Sequence, residues 1–166
     1  MIHLTDETRI SFYEPKLEDL WFRQLYLADP ETMSYNHARG GTIQFTKDRW
    51  NEWFDRWVAN PSGERFYRYV TLDNSRVFIG EAAWHRDTEL ELWLIDVIIY
   101  SKYRGHGYGT AALKLLCAEA KKRGIRVLHD NIAIDNPAVT LFLHNGFEEE
   151  YRTDEIIMLR KVLNSD

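Results

Sequence analysis

Residues 103–110, YRGHGYGT, carry three glycines at alternate positions, with an arginine in front and a histidine between them. Glycine lets the backbone take positive φ and leaves no Cβ between the chain and a ligand. An amphipathic segment follows, and the free N–H groups and positive dipole end at the start of a helix attract anions. Arg104 would add a fixed charge and a fork of donors, and His106 another donor. The pattern favours phosphate binding over a purely structural connection.

Two well-known phosphate loops fit this stretch poorly or in part. A Walker A loop is excluded because Gly109 is followed by Thr110-Ala111 and no lysine. The stretch from Gly107 to Ala112 does match G-x-G-x-x-A, and Asp130 lies 21 residues beyond Gly109, as in a dinucleotide-binding fold. Against this, residues 101–106 separate Gly107 from the preceding apolar run, whereas the dinucleotide motif normally follows its strand directly. Too little chain also follows for the βαβ units that build a dinucleotide-binding fold. A nicotinamide-dependent oxidoreductase stays an alternative.

The strands and helices around the loop are predicted from the spacing of apolar residues and from the residues that cap helices or form turns. The run WLIDVIIY feeds the loop as a strand over 89–100, buried on both faces, and the helix after it ends at Gly124. Further strands are predicted over 9–15, 125–134 and 155–163, and a hairpin joins ERFYRYVTL to RVFIGEAAWH. Helices are predicted over 16–28, from the Thr46 cap through Val58, and over 135–146, with 29–46 mostly loop. The order is β-α-α-β-β-β-α-β-α-β-β.

Two motifs together resemble a known family. Residues 104–109, RGHGYG, fit R/Q-x-x-G-x-G/A, the coenzyme A pyrophosphate loop of the GCN5-related N-acetyltransferases, the GNAT superfamily. The stretch Asn136…Leu141-Phe142…Gly146-Phe147 is similar to that family's N-x-x-A…L-Y…G-F segment. The remaining elements follow the family order, so the resemblance covers nearly the whole chain. It implies one domain over 1–166 of the α/β (α+β) class, three-layered, with a mixed, mostly antiparallel central sheet flanked by helices.

The resemblance also implies a co-substrate and its contacts. Acetyl-CoA would lie with its pyrophosphate on the backbone N–H groups of the glycine loop, and its pantetheine arm would pair with the preceding strand, beside a bulge. Backbone donors there would polarise the thioester carbonyl. Asn136 either contacts the pantetheine arm or caps the last helix. The implied cofactor-binding residues are Val97, Ile98, Ile99, Arg104, Gly105, His106, Gly107, Tyr108, Gly109, Thr110 and Asn136.

Members of the family transfer the acetyl group by direct attack of a primary amine, which requires that a base remove the ammonium proton. Asp96 is the first candidate, because it is the only carboxylate in the run WLIDVIIY, where burial would raise its pKa. Asp130, on the following strand, and Glu81, in IGEAAWH, are the other candidates. Each carboxylate could instead have a purely structural or surface role.

One departure from the family pattern concerns the proton for the leaving thiolate. The family often has a tyrosine where this chain has Phe142, and the spacing from Asn136 is one residue short. Phenylalanine cannot donate a proton, so water, His144 or Tyr151 would replace the tyrosine. A module that binds acyl-CoA without turnover therefore stays an alternative.

The composition of the chain limits the kinds of molecule that it is expected to bind. The 166 residues carry 21 Lys and Arg against 26 Asp and Glu, a net charge of −5, which argues against nucleic-acid or membrane binding. A cationic amine, small or on a protein, fits better, and a homodimer is left open. The single cysteine, the missing zinc-ligand spacing and the start MIHLTDETRI favour a cytoplasmic protein that needs no metal. The aromatic residues of 45–57 are predicted to be core and not a cage for a cation.

Overall fold

A computed structural model describes residues 9–73 and 75–164. The predicted order of strands and helices is confirmed. The strands are β1 Ile10–Tyr13, β2 Arg65–Leu72, β3 Phe78–Asp87, β4 Leu92–Ile99, β5 Val127–Ala133, β6 Glu148–Arg152 and β7 Ile156–Val162. The α-helices are α1 Trp21–Leu27, α2 Trp50–Phe54, α3 Tyr108–Lys122 and α4 Ala138–His144. Short 3-10 segments at Leu17–Asp19, Thr32–Arg39, Lys47–Arg49 and Ser101–Tyr103, and a π turn at Asp55–Ala59, complete the chain.

The strands form one sheet in the order β1-β2-β3-β4-β5-β7-β6. Every neighbouring pair is antiparallel except β4 and β5, which run parallel and meet at a single paired position, Leu94 with His129. Beyond that position the two strands separate, so the middle of the sheet opens as a V toward the end of β4. The predicted mixed, mostly antiparallel sheet is confirmed.

Two cores lie on the two faces of the sheet. The first packs α3 and α4 on one face, with Leu113, Leu116 and Leu128 fully buried. The second is aromatic and packs α1, α2 and the Thr32–Arg39 segment on the other face. Helices therefore cover both faces of the sheet, which gives the three layers that the resemblance implied. The aromatic residues of 45–57 belong to the second core, as predicted: Trp50 is buried, and Trp53 packs edge-on against Tyr67 at 4.7 Å.

Three local features add to the predictions or differ from them. Residues 29–46 are mostly loop, as predicted, but they also contain 3-10 turns over Thr32–Arg39, which end at Gly40 with φ of 100°. The three consecutive glutamates of 148–150 predict a solvated turn from the sequence, but they begin β6, which pairs with β7 as an edge strand and keeps its side chains exposed. The pairing of β3 with β4 runs in unbroken register, so the expected bulge does not occur in that pair; a register shift occurs instead between Val70 and Thr71 of β2.

One glycine is required by this continuous register. A Cβ on Gly80 of β3 would lie 2.3 Å from the carbonyl oxygen of Ile98 on β4. Real Cβ atoms do not approach a backbone oxygen so closely, so only glycine allows β3 and β4 to pair here. The close approach holds β4 in place along the strand that borders the opening of the sheet.

Candidate active site

The glycine loop has the geometry of an anion site. Gly105 and Gly107 both have φ of +84°, and α3 begins directly afterwards at Tyr108. The first N–H that turns back into the helix belongs to Ala111, which donates to the Gly107 carbonyl at 3.1 Å. Within the described chain, no acceptor is found for the backbone N–H groups of 105–110. A row of free donors at a helix start is what a pyrophosphate requires.

Arg104 is used differently from the prediction of a donor fork for phosphate. Its guanidinium donates to three backbone carbonyls of the chain: Nε to Ile99 at 3.1 Å, Nη2 to Thr32 at 2.9 Å and Nη1 to Glu31 at 3.2 Å. These three hydrogen bonds hold the loop against the end of β4 and against the start of the Thr32–Arg39 segment. The side chain therefore positions the loop, and the free donors there are backbone N–H groups.

A second set of hydrogen bonds connects the residues before the glycine loop to the start of the Thr32–Arg39 segment. Ser101 donates its backbone N–H to the Thr32 hydroxyl at 2.8 Å and its own hydroxyl to the Asp29 carboxylate at 2.6 Å. Thr32 also donates to Asp29, from its hydroxyl at 2.5 Å and its N–H at 3.1 Å. The Ser101 and Thr32 hydrogen bonds lower the pKa of Asp29. The loop and the segment therefore form one hydrogen-bonded unit, although about 70 residues separate them in the sequence.

The opening between β4 and β5 offers room for an extended ligand arm. Residues 97–99 of β4 pair with 80–82 of β3 on one side only, because β5 has already separated from β4. Asn136 follows β5, and its side-chain oxygen accepts the Ala138 N–H at 2.9 Å, so it caps α4. Of its two predicted roles, this contact supports the cap, and the amide NH₂ is left for a ligand.

The three predicted carboxylates surround one cleft, but their environments differ. Glu81 is only 3% exposed. It accepts hydrogen bonds from the hydroxyls of Tyr26 and Tyr67, the latter at 2.5 Å, and its Oε1 lies 3.8 Å from Nε of Arg23. Two phenol donors and a guanidinium thus surround Oε1 of Glu81, and these contacts favour a structural role for this carboxylate.

Asp96 is the carboxylate that solvent reaches. Glu81 pairs with Ile98 and Ala83 with Asp96, so both acidic side chains project from the same face of the sheet. Asp96 is exposed to solvent, although it lies on β4 in the middle of the sheet. Its pKa is raised well above the ordinary value, first by desolvation and then by the charge of Glu81 and a hydrogen bond with it. A carboxylate of this kind accepts protons more readily than a free one.

Asp130 completes the acidic group from β5. It is half-buried, and its pKa is also raised well above the ordinary value, by desolvation and then by the charge of Asp96, against the effect of a backbone hydrogen bond from Asn131. Because the charge of Asp96 raises the proton affinity of Asp130, a cation placed between the two would relieve their repulsion. The cleft is therefore suited to an ammonium group.

Two residues of the cleft were not predicted from the sequence. Tyr35 lies on the Thr32–Arg39 segment, and its pKa is raised by desolvation and then by the charges of Asp96 and Glu81, so its phenol stays protonated. Arg23 of α1 lies over the rings of Phe45 and Trp53, with its guanidinium carbon 4.6 and 4.2 Å from their centres. Neither residue stands in a motif, and only the fold brings them to the carboxylates.

The residues proposed to replace the family tyrosine lie away from the cleft. Phe142 is buried and packs edge-on against Phe147, with ring centres 5.0 Å apart. His144 at the end of α4 and Tyr151 on β6 are both exposed. On the other side of the opening, Nε2 of His37 lies 3.1 Å from the Asp135 carboxylate, which links the Thr32–Arg39 segment to the turn after β5.

The described residues contain neither a cluster of metal-binding side chains nor a membrane-spanning helix. Residues 9–73 and 75–164 contain no group of three or more His, Cys, Asp or Glu side chains placed to hold a metal ion. Over the same residues, no helix has the length and apolar character needed to span a bilayer.

Comparison with known proteins identifies the family. A profile of the acetyltransferase (GNAT) domain matches residues 9–148. An uncharacterized N-acetyltransferase of Methanocaldococcus jannaschii is 24% identical over 110 residues, which are 64% of this chain and 49% of the relative. The match thus spans about half the length of that relative.

Solved structures agree with the profile at the level of the fold. Spermidine N-acetyltransferase from Vibrio cholerae, solved with CoA and spermine, superposes with a TM-score of 0.78 at 15% identity, over 93% of this chain and 96% of that one. The yncA protein of Salmonella typhimurium, solved with acetyl-CoA, gives 0.72 at 16% identity, over 95% of both chains. Given the profile match over most of its length, the chain belongs to the GNAT family of acetyltransferases.

Proposed function

We propose that this chain transfers the acetyl group of acetyl-CoA to a primary amine of a small, cationic molecule, with Asp96 as the base. Membership of the GNAT family, from the profile over residues 9–148, supports an N-acetyltransferase that uses acetyl-CoA. The acceptor is our inference, and one observation carries it: Asp96 is exposed to solvent and interacts electrostatically with Glu81 and with Asp130. A cleft of three carboxylates on a chain of net charge −5 favours a positively charged acceptor.

The free N–H groups of 105–110 and the opening beside residues 97–99 support the placement of the co-substrate. When bound, acetyl-CoA supplies the activated acetyl group. Backbone donors of β4 would orient its thioester carbonyl and stabilise negative charge on that oxygen. These contacts remain proposals for Val97, Ile98 and Ile99, as for Arg104 through Thr110 and for Asn136.

The reaction requires two proton transfers, and we assign both to the cleft. Asp96 takes a proton from the bound ammonium, and the neutral amine nitrogen then forms the C–N bond while the C–S bond breaks. The thiolate needs one proton, and its candidate sources are water and Tyr35, whose protonated phenol lies among the same carboxylates. Glu81 would stabilise the Tyr26 and Tyr67 side chains that line the back of the cleft.

A polyamine is the acceptor that we infer first. It carries several ammonium groups, which match several carboxylates, and the structurally similar Vibrio cholerae enzyme is a spermidine N-acetyltransferase. An aminoglycoside presents similar ammonium groups and is the second candidate. The single domain over 1–166, the cytoplasmic location, a homodimer and the lack of nucleic-acid or membrane partners stay predictions.

The decisive experiment measures release of free CoA with spermidine, spermine, an aminoglycoside and a peptide amine as acceptors. We expect turnover with the first two, and a fall in kcat/KM of about a hundredfold or more for Asp96→Asn, the usual cost of losing a general base. Asp154→Asn, which removes an exposed carboxylate elsewhere, is the control and should behave as wild type.

Three outcomes would contradict parts of the proposal. Acetyl-CoA binding without turnover on any amine would favour the non-catalytic acyl-CoA module. Calorimetric binding of NADH in place of acetyl-CoA would favour the dinucleotide alternative. Full activity of Asp96→Asn would remove Asp96 as the base and leave Asp130 as the remaining solvent-accessible carboxylate of the cleft.

A further inference from the structure

A second concave site lies at the opposite end of β4 and β5 from the glycine loop. It is a pocket of about 610 Å³ between the starts of these strands and the end of α3. Its charged lining consists of Arg86, Arg123, Arg126, Arg160, Glu91 and Glu150. The volume falls within the usual range for pockets that hold small organic molecules. Nothing in the proposed acetyl transfer uses this pocket.

The pocket is positive on a negative chain. Four arginines face two glutamates, a local excess of two positive charges, whereas the whole chain carries −5. Arg123 is paired with Glu119 at 2.8 Å, and Arg160 lies 3.7 Å from Glu150. Over the described chain, neither Arg86 nor Arg126 has a carboxylate within ion-pair distance. Two guanidinium groups are therefore left for an anion from solution.

His129, in the wall of the pocket, has an unsatisfied nitrogen. It is 5% exposed, its Nε2 lies 3.4 Å from the Glu150 carboxylate, and its Nδ1 is buried with no hydrogen-bond partner in the described chain. A buried polar atom left without a partner costs free energy, and such atoms are rare in native proteins. Desolvation is also the main reason that the pKa of His129 is lowered, and the charge of Arg160 adds to this effect.

Trp93 gives the pocket an apolar wall. It is the second residue of β4, it is half-buried, and the guanidinium carbon of Arg86 lies 5.5 Å from its ring centre. A ring beside unpaired guanidinium groups can contact the carbon skeleton of a ligand while the arginines bind its charged end. The lining therefore fits a molecule with one anionic end and one uncharged end better than it fits a bare ion.

We propose that this pocket is a second binding site, for a small phosphorylated molecule, with Arg86 and Arg126 binding its phosphate and Trp93 contacting its carbon skeleton. The site is separate from the glycine loop, because the two lie at opposite ends of β4. An extended polyanion such as a nucleic acid does not fit, because the net charge of −5 would repel it outside the pocket.

The test follows the side-chain NMR signals of Trp93 and His129 while glycerol 3-phosphate is added at pH 8, where a phosphate monoester carries close to two negative charges. Glycerol with sodium chloride at matched ionic strength is the blank. Signals of residues 104–110 are followed in the same spectra, so that binding to the glycine loop is separated from binding to the pocket. We expect saturable shifts of both side chains with the phosphate ester and not with the blank.

Matched double variants assign the binding to the two arginines. R86Q/R126Q should weaken the affinity at Trp93 and His129 by about tenfold or more, as expected when charge-assisted hydrogen bonds are lost. R49Q/R56Q removes the same charge at two exposed sites, one just before α2 and one just after it, and should leave the affinity unchanged. Equal thermal unfolding midpoints would establish that the variants are folded.

The proposal is overturned if the shifts of Trp93 and His129 do not saturate, or if they equal those of the blank. It is also overturned if R86Q/R126Q binds as tightly as R49Q/R56Q. Neither result depends on acetyl transfer, so the proposed function would stand or fall separately.

Discussion

At the scale of single residues, the three carboxylates of the cleft differ in their surroundings. Glu81 has two phenol donors and lies near a guanidinium, whereas Asp96 faces solvent on one side. Asp96 was predictable from the sequence because a single charge stands out in an apolar strand. Tyr35 was not, because its relation to Asp96 depends on how a segment 60 residues earlier folds over β4.

The raised pKa of Asp96 has a consequence for stability. The folded pKa lies above the value of about 3.9 expected in the unfolded chain, so the folded state holds this proton more tightly. Stability contributed in this way is complete below the unfolded pKa and is lost as the pH rises through the folded pKa. We expect Asp96→Asn, which cannot ionise, to match wild type near pH 4 and to be more stable at pH 8.

Urea unfolding of both proteins at the two pH values measures this difference. The same variant loses activity in the proposed mechanism, so a gain in stability would mark Asp96 as a residue retained for function at a cost to the fold. A wild-type protein that is as stable as the variant at pH 8 would contradict the raised pKa.

Tyr35→Phe is expected to lower kcat about tenfold or more while the affinity for acetyl-CoA stays within error, because only a proton donor is removed. Tyr151→Phe, at an exposed tyrosine of β6, is the matched control. Steady-state release of CoA and calorimetric titration separate the two effects. If kcat is unchanged in Tyr35→Phe, water protonates the thiolate.

At the scale of elements, the glycine loop and the Thr32–Arg39 segment behave as one unit. Four hydrogen bonds from Ser101 and Arg104 connect the loop to residues 29–32. Two more hold Thr32 to Asp29. The helix α3 and the strands were predictable because their periodicity is local. The 3-10 turns at 32–39 were not, because their partners lie about 70 residues away and no local pattern specifies them.

Arg104→Ala is expected to weaken acetyl-CoA binding although the side chain donates to the chain's own carbonyls and not to a ligand. Three hydrogen bonds would be lost, the loop would be less well positioned, and the free energy of unfolding should fall by about 1 kcal/mol. Lys102→Ala removes an exposed charge two residues away and serves as the control. Calorimetric titration with acetyl-CoA and urea unfolding give the two numbers.

The two substitutions distinguish position from charge. If Lys102→Ala weakens binding as much as Arg104→Ala, the loop attracts the co-substrate by net charge, and the hydrogen bonds of Arg104 are incidental. If only Arg104→Ala weakens binding, the backbone donors of 105–110 depend on the anchor that Arg104 provides.

At the scale of the whole molecule, charge is distributed unevenly. The net charge is −5 and the acidic cleft contributes to it, whereas arginines dominate the pocket at the other end of β4. The totals in the sequence were enough to argue against nucleic acid as a partner. They could not reveal a local excess of positive charge, because its arginines come from β3, from the connection between α3 and β5, and from β7, which are distant in the sequence.

Added salt should raise KM for a polyamine acceptor several-fold between low and physiological ionic strength, because the acidic chain attracts the cation over a distance that salt shortens. A primary amine of lower charge, such as a peptide amine, should respond much less. Initial rates at a series of sodium chloride concentrations test this. Equal salt dependence for both acceptors would exclude electrostatic steering by the cleft.

The single paired position between β4 and β5 divides the sheet into a four-stranded part, β1 to β4, and a three-stranded part, β5 to β7. Backbone amides along the two inner edges have no strand partner beyond Leu94 and His129, so their deuterium uptake should be faster than that of amides inside either part. A ligand arm seated between the edges would supply the missing partners and slow the uptake. The rate of isotope exchange along these edges therefore reports directly on whether the opening is filled.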